Sequence, residues 1–466
     1  MANGKSNMLR MLFCFVHLLL FARVQAVTNT TLSCCAQLHR QLPQKLFAYN
    51  DHMIPRWSKT ADLTPRCSFF PTDAEEVSVA LRILANSACP FSIKSGGHSP
   101  WPGMNSIDDG VALDLGWINQ TTLANDRSHV VLGAGGTWGN AYAKLEPYGV
   151  LFPGGRASEV GIGGLTLGGG YSWTTPRTGF VADNVISYEI VLATGSIVIA
   201  NATSNDDLFM ALKGGGNNFG VLTRIWLQCF ENHALWGGVA AVDVTRTIGS
   251  FLVNTASDHE STLHRPFMDM SPRLRNTLKK KTMAELSEEL SAAWPVGQRY
   301  LTTSVGIIND REMLQNVQLS MESFYRSTSN AIYPSTFQCT FVYEPLPHFY
   351  TAQGELQSGN MLGLNNTSDD YVIVLLQPRW EDANVDLTMY HEAEQWVKNL
   401  RNTYPDKVMP LEYLPYAAPW QDPLGSYGEQ SLEFMRKVGE KYDPDRVFQK
   451  LVPGGFKLDK TGGGAA

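Results

Sequence analysis

The chain has 466 residues, of which 44% are hydrophobic and 11% aromatic, and its formal net charge at pH 7 is −7. This length suffices for two domains, and the composition excludes a disordered or fibrous chain. Lysine and arginine are scattered rather than clustered, which argues against nucleic acid as a partner, so we expect a neutral small-molecule substrate.

The N-terminus has the pattern of a signal peptide. Lys5 and Arg10 precede an apolar run from Met11 to Phe21, and small residues around Ala26 suit cleavage there. The run is short for a membrane span, so we expect a secreted protein with no membrane partner. Secretion makes N-glycosylation credible at five sequons: Asn29, Asn119, Asn201, Asn365 and Asn366.

Removal of the signal peptide would leave six cysteines: Cys34, Cys35, Cys67, Cys89, Cys229 and Cys339. The first four lie close together in sequence. In an oxidising compartment they predict two disulfides that join Cys34 and Cys35 to Cys67 and Cys89, with the pairing left open. A zinc site is the alternative, although adjacent cysteines lack the usual ligand spacing.

The first part of the chain alternates helices and strands. Leucines at helical spacing over 32–48, interrupted by Pro43, predict a short broken helix. A capped helix is predicted over 73–86, followed by strands at 89–93, 110–115 and 130–134 and a helix over 140–146. A hairpin turned at Thr194-Gly195, a helix over 206–214 and a strand over 221–227 complete this part.

The stretch Ile93-Lys-Ser-Gly-Gly-His-Ser-Pro-Trp101 follows a predicted strand. Two glycines there would bring consecutive backbone N–H groups to one point, which makes an anion site, and then present His98. The alternative is an ordinary turn with a histidine that has no chemical role.

Glycines continue beyond this stretch, and more than half of the 41 fall between 96 and 220. Such density suits backbone packed directly against a large flat ligand; irregular loops are the alternative. Gly161-Ile-Gly-Gly-Leu-Thr-Leu-Gly168 lacks the spacing of a dinucleotide fingerprint, so nicotinamide binding is not expected.

Beyond about residue 236 the pattern changes to amphipathic helices and alternating strands. Helices are predicted over 283–293, 311–326, 387–400 and 428–440, and a strand over 371–380. This change indicates a second domain.

The spaced motifs of the chain resemble those of one family. They are Lys94-Ser-Gly-Gly-His-Ser-Pro-Trp101, Gly161-Ile-Gly-Gly-Leu-Thr-Leu-Gly-Gly-Gly170, Ala182-Asp-Asn-Val185, Asp207-Leu-Phe-Met-Ala-Leu-Lys-Gly-Gly-Gly-Asn-Asn-Phe-Gly220 and Tyr442-Asp-Pro-Asp-Arg-Val-Phe448. Together they resemble fungal FAD-linked oxidoreductases of the berberine bridge enzyme-like branch of the vanillyl-alcohol-oxidase superfamily, whose FAD-binding domain is of the PCMH type.

The resemblance implies an α+β fold. It comprises a two-subdomain PCMH-type FAD-binding domain and a substrate domain with an antiparallel sheet covered by helices. We expect the following segments: a signal peptide at 1–26, a disulfide-tied segment at 27–62, the FAD-binding domain at 63–236, the substrate domain at 237–418 and a return to the FAD-binding domain at 419–466.

The resemblance also implies the cofactor and its ligands. His98 matches the histidine that bonds covalently to FAD, and a second link is not expected because Ala157 occupies the position of a cysteine in many relatives. The expected FAD-binding residues are Lys94, Ser95, Gly96, Gly97, His98, Ser99, Gly155, Val160, Gly161, Gly164, Gly168, Gly169, Asn184 and Val185.

Two residues are predicted to act in catalysis. Val160 matches the position that controls the approach of O₂ to the flavin, with simple packing as its alternative role. Tyr416 matches the active-site tyrosine, but Pro415 and Ala418 stand where relatives have Asn and Asp, which removes an obvious partner for a phenol of pKa about 10. No specific role is predicted for the polar residues His348, Tyr350, Arg379 and Glu381, each of which is expected to be a surface or structural residue.

The resulting hypothesis is a secreted FAD-dependent oxidase. It would transfer a hydride from an alcohol, phenol or polyketide-type secondary metabolite to the flavin, with O₂ reduced to H₂O₂. A carbohydrate or oligosaccharide oxidase is the alternative substrate class. A flavoprotein cyclase without net redox change and a secreted binding protein with a structural flavin are the alternatives of other classes.

Overall fold

The protein is described here from a computed structural model, which describes residues 30–48, 56–231, 235–243, 247–357, 359–364 and 369–461. The predicted signal peptide and three of the sequons, at Asn29, Asn365 and Asn366, lie outside these ranges. No helix within them is long and apolar enough to cross a membrane.

The N-terminal segment is tied to the first sheet by two disulfides, Cys34–Cys89 and Cys35–Cys67, as predicted. These bonds use all four cysteines of the cluster, so the zinc alternative is wrong. Residues 30–41 are helical. The prediction of one broken helix up to 48 was wrong at its end, because Leu46–Ala48 is a strand that pairs with Cys67–Phe69. Pro43 begins a 3-10 turn, and the chain then enters the sheet.

The first sheet has the strand order Leu46–Ala48, Cys67–Phe69, Val111–Asp114, Phe91–Lys94, and the last three strands are parallel. The helix Ala74–Asn86 connects two of these strands. Asp73 caps it by accepting a hydrogen bond from the backbone N–H of Glu76. Its apolar face is buried, including Val77 and Leu81.

The second sheet has five antiparallel strands, in the order Thr121–Leu123, His129–Gly133, Val221–Gln228, Val185–Val191, Ile197–Asn201. The predicted hairpin is confirmed, and Gly195 at its turn has φ of +83°. Val150–Leu151 pairs with Phe230–Glu231. The helices of this half are Trp138–Leu145, Ile162–Leu167, Thr175–Thr178 and Asp206–Ala211.

Two antiparallel sheets follow. In one, Leu235–Asp243 pairs with Thr247–Asn254 on one side and with Arg273–Asn276 and Lys279–Lys281 on the other. In the other, Tyr371–Trp380 pairs with Phe337–Leu346 on one side and with Arg299–Tyr300 and Thr303–Ile308 on the other. The sequence predicted one of these eight strands.

The helices of the second half are Arg265–Met268, Met283–Ser291, Arg311–Ala331, His348–Gln357, Asp386–Thr403, Pro423–Ser426, Glu429–Tyr442 and Val447–Lys450. Two of them, Arg311–Ala331 and Asp386–Thr403, cover the sheet that contains Tyr371–Trp380. A second hydrophobic core forms between these two helices and the sheet, with Val374, Phe324 and Trp396 among its buried members. The predicted α+β fold class is thereby confirmed.

The C-terminal segment returns to the first half of the chain. The backbone N–H of Phe91 donates to the carbonyl of Leu451. The buried ammonium of Lys457 donates to Asn217, 3.1 Å away. The segment boundaries at 63, 237 and 419 stay predictions.

Candidate active site

The loop that follows the strand Phe91–Lys94, at residues 95–98, is the candidate anion nest. Within the described chain, no hydrogen bond uses the amide N–H of Gly96, Gly97 or His98. Gly97 has φ of +70°, which a side chain rarely tolerates. Three consecutive free donors at one turn suit the oxygens of a diphosphate.

Lys94 lies beneath this loop rather than in it. Its ammonium is 3.0 Å from the Asp114 carboxylate, and both side chains are buried. A methyl group added at Gly97 would lie 2.8 Å from the Lys94 side chain, so the lysine supports the turn from below. Its role as a direct FAD ligand stays a prediction.

The glycine run at 161–164 packs directly on this loop. A side chain on Gly96 would lie 2.5 Å from the Cα of Gly161, and one on Gly161 would lie 2.3 Å from the amide nitrogen of Gly96. Ser95 joins the two segments, because its hydroxyl donates to the carbonyl of Ala134 and accepts from the N–H of Gly163. Two glycine loops distant in sequence therefore form one surface.

The other glycines that were predicted to bind the cofactor have distinct environments. Gly155 packs on the Trp138 indole, and Gly168 packs on Leu414 and Pro415, so neither position has room for a side chain. Gly164 faces open space, where a ligand could approach the backbone. Gly169 has φ of +99°.

His98 is held by aromatic stacking. Its ring lies on the Trp57 indole with centroids 4.3 Å apart, and Trp57 stacks in turn on Tyr300 at 4.2 Å. Burial lowers the pKa of His98 to about 4. The imidazole is therefore neutral near pH 7, which is the form able to bond to an electrophile.

A buried polar cluster joins the two halves of the chain. One guanidinium nitrogen of Arg156, Nη2, lies 2.5 Å from the Glu344 carboxylate and 2.5 Å from the Tyr416 hydroxyl. That hydroxyl donates to Glu344, with oxygen distances of 3.1 and 3.2 Å. The loop before the glycine run thus supplies the cation, and the second half supplies the acid and the phenol.

The electrostatics of the cluster keep Tyr416 protonated. Burial raises the pKa of Tyr416 well above 10; Arg156 opposes this and Glu344 adds to it. Burial also acts to lower the pKa of Arg156, but the Glu344 carboxylate outweighs it and the guanidinium stays charged. Tyr416 is therefore a hydrogen-bond donor at rest, and the Glu344 carboxylate accepts its hydrogen bond.

Tyrosines surround this cluster. The Tyr171 ring lies under the Arg156 guanidinium, 4.7 Å from centroid to carbon, and its hydroxyl donates to the carbonyl of Pro345. The backbone N–H of Tyr171 donates to the Tyr413 hydroxyl at 2.6 Å. These contacts fix Arg156 and the strand that carries Glu344.

The remaining predicted residues lie apart from this cluster or beside the loops. The backbone of Val160 bonds to Ala157 and Trp138, and its side chain packs on the core. The buried Asn184 amide donates to two carbonyls, while its Oδ1 has no partner among the described residues. Val185 begins the following strand, and the Ser99 hydroxyl accepts from the Trp101 N–H.

Of the four polar residues for which the sequence predicts no specific role, three lie outside the cluster. His348 is paired with Asp370 at the start of a helix, Arg379 bonds to Gln338, and Glu381 is exposed. Tyr350 alone borders the cluster, where its ring approaches that of Tyr171.

Sequence reasoning missed two members of the cluster, Arg156 and Glu344, and also Tyr171, which borders it. One signal existed for Glu344, since it is an acid in the middle of a run of aromatic and β-branched residues, Phe337–Leu346. An acid buried in such a strand requires a partner. Arg156 lies directly before Ala157 in a loop, where the sequence has no pattern that indicates a buried partner.

These observations fit FAD. The two glycine loops offer free N–H donors for a diphosphate, close backbone contact for a flat ring, and a neutral histidine beside them.

Residues 65–201 match the FAD binding domain family. The chain is 30% identical to an FAD-dependent monooxygenase of Aspergillus calidoustus, over 92% of this chain and 90% of the relative. A second FAD-dependent monooxygenase, of Emericella nidulans, is also 30% identical, over 92% of this chain and 98% of the relative.

The chain belongs to this family of FAD-dependent oxidoreductases. Two solved oxidase structures share the fold of this chain, each at 17% sequence identity to it. The xylooligosaccharide oxidase of Myceliophthora thermophila aligns with a TM-score of 0.73, over 89% of this chain and 98% of that one. The glucooligosaccharide oxidase of Acremonium strictum aligns with a TM-score of 0.72, over 89% and 96%.

Proposed function

We propose that this oxidoreductase is an oxidase of small hydroxylated metabolites, namely an alcohol, a phenol or a polyketide-type compound, that uses covalently bound FAD and O₂. The observation that carries the proposal is the contact of Arg156, Tyr416 and Glu344 where the glycine loops meet the second half of the chain. Bound FAD would supply the two-electron acceptor, taking a hydride from the substrate carbon and passing the electrons to O₂ to give H₂O₂.

The chain's own residues would move the proton. A substrate hydroxyl placed against Tyr416 would pass its proton to the phenol oxygen as the Tyr416 proton moves to Glu344. Because burial makes a lone phenolate unfavourable, Tyr416 needs Glu344 as the final acceptor. Glu344 thereby replaces the partner that the sequence lacks at position 418.

We propose covalent attachment through His98 alone. The glucooligosaccharide oxidase of Acremonium strictum carries 6-S-cysteinyl, 8α-N1-histidyl FAD. Here the neutral His98 beside the nest supports the histidyl bond, and Ala157 cannot form a thioether. Val160, packed beside the nest, would control the access of O₂.

Secretion and glycosylation complete the proposal. The signal-like N-terminus and the two disulfides support export from the cytosol. Among the described sequons, Asn119 is exposed and Asn201 half-buried, so Asn119 is the better acceptor.

Oxygen insertion is a second candidate, because the two relatives at 30% identity are called monooxygenases. Turnover under ¹⁸O₂ separates the two. An oxidase places the label in H₂O₂, whereas a monooxygenase places one labelled atom in the organic product.

The main test is reduction of the flavin without oxygen. Anaerobic mixing with a panel of phenols, aromatic alcohols and oligosaccharides should bleach the flavin absorbance with the aromatic compounds. Bleaching by oligosaccharides alone would make the protein a carbohydrate oxidase. A product formed without bleaching would support a cyclase, and no change with any compound would favour a binding protein.

A further inference from the structure

One sheet of the second half has a basic edge. The strands Arg273–Asn276 and Lys279–Lys281 pair with the same side of Leu235–Asp243, and no described strand pairs with their outer side. The segment 265–281 contains six of the chain's 37 lysines and arginines but only one acid, Asp269. Lysine and arginine are scattered over the chain as a whole, and this segment is an exception.

Most of these cations are accessible to an external anion. Four of them are exposed: Arg265, Arg273, Lys279 and Lys280. Arg275 is 56% exposed and lies 3.3 Å from the Glu289 carboxylate, which also pairs with the buried Lys281. Besides Asp269, two exposed acids precede this segment, Asp258 and Glu260. The five accessible cations outnumber these three exposed acids.

The two faces of this edge differ in charge. Arg275 and Lys281 both pair with an acid of the helix Met283–Ser291, so they point to the face of the sheet that this helix covers. Because side chains alternate along a strand, Lys280 and Leu274 point to the opposite face. The opposite face therefore carries a cation and an apolar side chain that lie away from the acids of that helix.

A short helix lies on this opposite face. The His264 ring, at the start of the helix, stacks on the Trp236 indole with centroids 5.1 Å apart. Trp236 is the register partner of Lys280, and directly opposed residues of an antiparallel pair share a face. The helix Arg265–Met268 therefore lies beside Lys280 and brings a second exposed cation, Arg265, to this face.

Large apolar side chains are exposed among these cations. They are Leu263, Leu274 and Phe267, at 79%, 57% and 41% exposure. Leu263 directly precedes His264, Phe267 belongs to the short helix, and Leu274 points to the same face. A single exposed leucine is ordinary, but apolar side chains that are grouped on a surface mark a contact with a partner. The face therefore combines positive charge with exposed apolar surface.

This combination decides between kinds of partner. Lysines on an edge strand often serve only to repel other strands and prevent aggregation, a role that exposed leucine and phenylalanine would oppose. A soluble polyanion would use the cations but would gain nothing from the apolar side chains. The surface of an anionic membrane uses both, because lipid headgroups attract the cations and the boundary of the acyl chains accepts leucine and phenylalanine.

We propose that this face, formed by Leu263, Arg265, Phe267, Leu274 and Lys280, binds the surface of a membrane that contains anionic lipids. The formal net charge of −7 does not prevent this, because exposed charges farther away than about 8 Å are largely screened at physiological salt. Binding at a surface needs no membrane-spanning helix. The proposal therefore revises the expectation of no membrane partner, which rested on the lack of such a span.

Sedimentation of the holoprotein with lipid vesicles tests the proposal. One set of vesicles contains phosphatidylcholine alone, and the other also contains about 30% phosphatidylserine, which gives an anionic surface. At about 0.1 M salt we expect the anionic vesicles to bind the protein at least about tenfold more tightly, and this difference should shrink as the salt concentration rises. Equal binding to both kinds of vesicle, or binding to neither, would overturn the proposal.

A charge variant assigns the electrostatic part to this face. Arg265→Gln/Lys280→Gln should weaken binding to the anionic vesicles about 25-fold, because each cation near such a surface strengthens binding about fivefold. Lys398→Gln/Lys437→Gln is the matched control, since it removes the same charge from exposed lysines on other helices and should bind as the wild type does. An equal loss in both variants would contradict a specific face.

An apolar variant separates a membrane from a soluble polyanion. Leu263→Ser/Phe267→Ser should weaken binding to the anionic vesicles at least about tenfold, because both side chains lose their contact with the acyl-chain boundary. Leu319→Ser/Leu387→Ser changes two exposed leucines on other helices and should have no effect. If Leu263→Ser/Phe267→Ser keeps its affinity for vesicles, and soluble polyglutamate competes with them for the wild type, the partner is a polyanion and the proposal is wrong. None of these measurements requires turnover.

Discussion

The His98 imidazole lies flat on the Trp57 indole, with ring centroids 4.3 Å apart and planes 13° from parallel. Trp57 also donates its backbone N–H to the carbonyl of Gly97, next to His98. The same residue therefore orients the ring and anchors the loop. We therefore predict that Trp57 positions His98 for the proposed attachment of the flavin.

Trp57→Ala should slow covalent attachment of FAD at least about tenfold, because the imidazole loses the surface that fixes its orientation. Trp57→Phe, which keeps a stacking ring, should restore most of the rate. Acid-precipitated protein sampled over time after FAD addition gives the covalent fraction. Equal rates in the wild type and Trp57→Ala would leave Trp57 a packing residue only.

His98→Ala should bind FAD without a covalent bond. Acid precipitation should leave a yellow pellet from the wild type and a colourless pellet from the variant. The variant Ala157→Cys in the His98→Ala background introduces the cysteine that many relatives have. It tests whether a thiol at position 157 can reach the flavin and bond to it. A wild type that releases all of its flavin would refute attachment through His98.

The pH dependence of attachment follows from the lowered pKa of His98, about 4. The reactive neutral imidazole predominates above that value, so the attachment rate of wild-type apoprotein should be constant above pH about 5 and fall below it. Removing Trp57 exposes the ring and should move the pKa back towards about 6.5. Trp57→Ala should then lose rate as the pH falls from about 7, and a wild-type profile with a midpoint near 6.5 would contradict this account.

Glu344→Gln should slow anaerobic flavin reduction by at least about 100-fold, because the amide cannot accept the proton that passes through Tyr416. Stopped-flow absorbance separates this step from reoxidation, whose rate should not change. Glu289→Gln is the matched control, since Glu289 is likewise an acid with a mostly buried side chain and a cationic partner, Lys281, outside the cluster. Unchanged reduction in Glu344→Gln would remove Glu344 from the proton path.

Val160→Leu should leave flavin reduction unchanged and slow reoxidation by O₂ at least about tenfold, a barrier increase of about 1.4 kcal/mol. Val160 is partly buried and packs on the core, so an added methylene there would crowd its neighbours. Val160→Ala is the control and should not slow reoxidation. Slow reoxidation already in the wild type would indicate a dehydrogenase with another electron acceptor.

Many elements of this fold follow from local sequence patterns. The helix Ala74–Asn86 and the hairpin at Gly195 follow from a capping aspartate, apolar spacing and a turn glycine, all of which act within a few residues. The nest before His98 is equally local, because two adjacent glycines suffice for its geometry. For the same reason the cysteine cluster indicated two disulfides but could not give their pairing.

The buried cluster of Arg156, Glu344 and Tyr416 could not be predicted from such local patterns. Arg156 and Glu344 are 188 positions apart, and Tyr416 is a further 72 away, so only the packing of the two halves brings them within hydrogen-bond distance. The contact between Gly96 and Gly161 is of the same kind, since neither glycine specifies its partner. The sequence by itself determined the local turns, the helices and the glycine loop that precedes His98. The tertiary structure decided which charges share a buried space, because pairing energies there depend on distance and burial rather than on spacing along the chain.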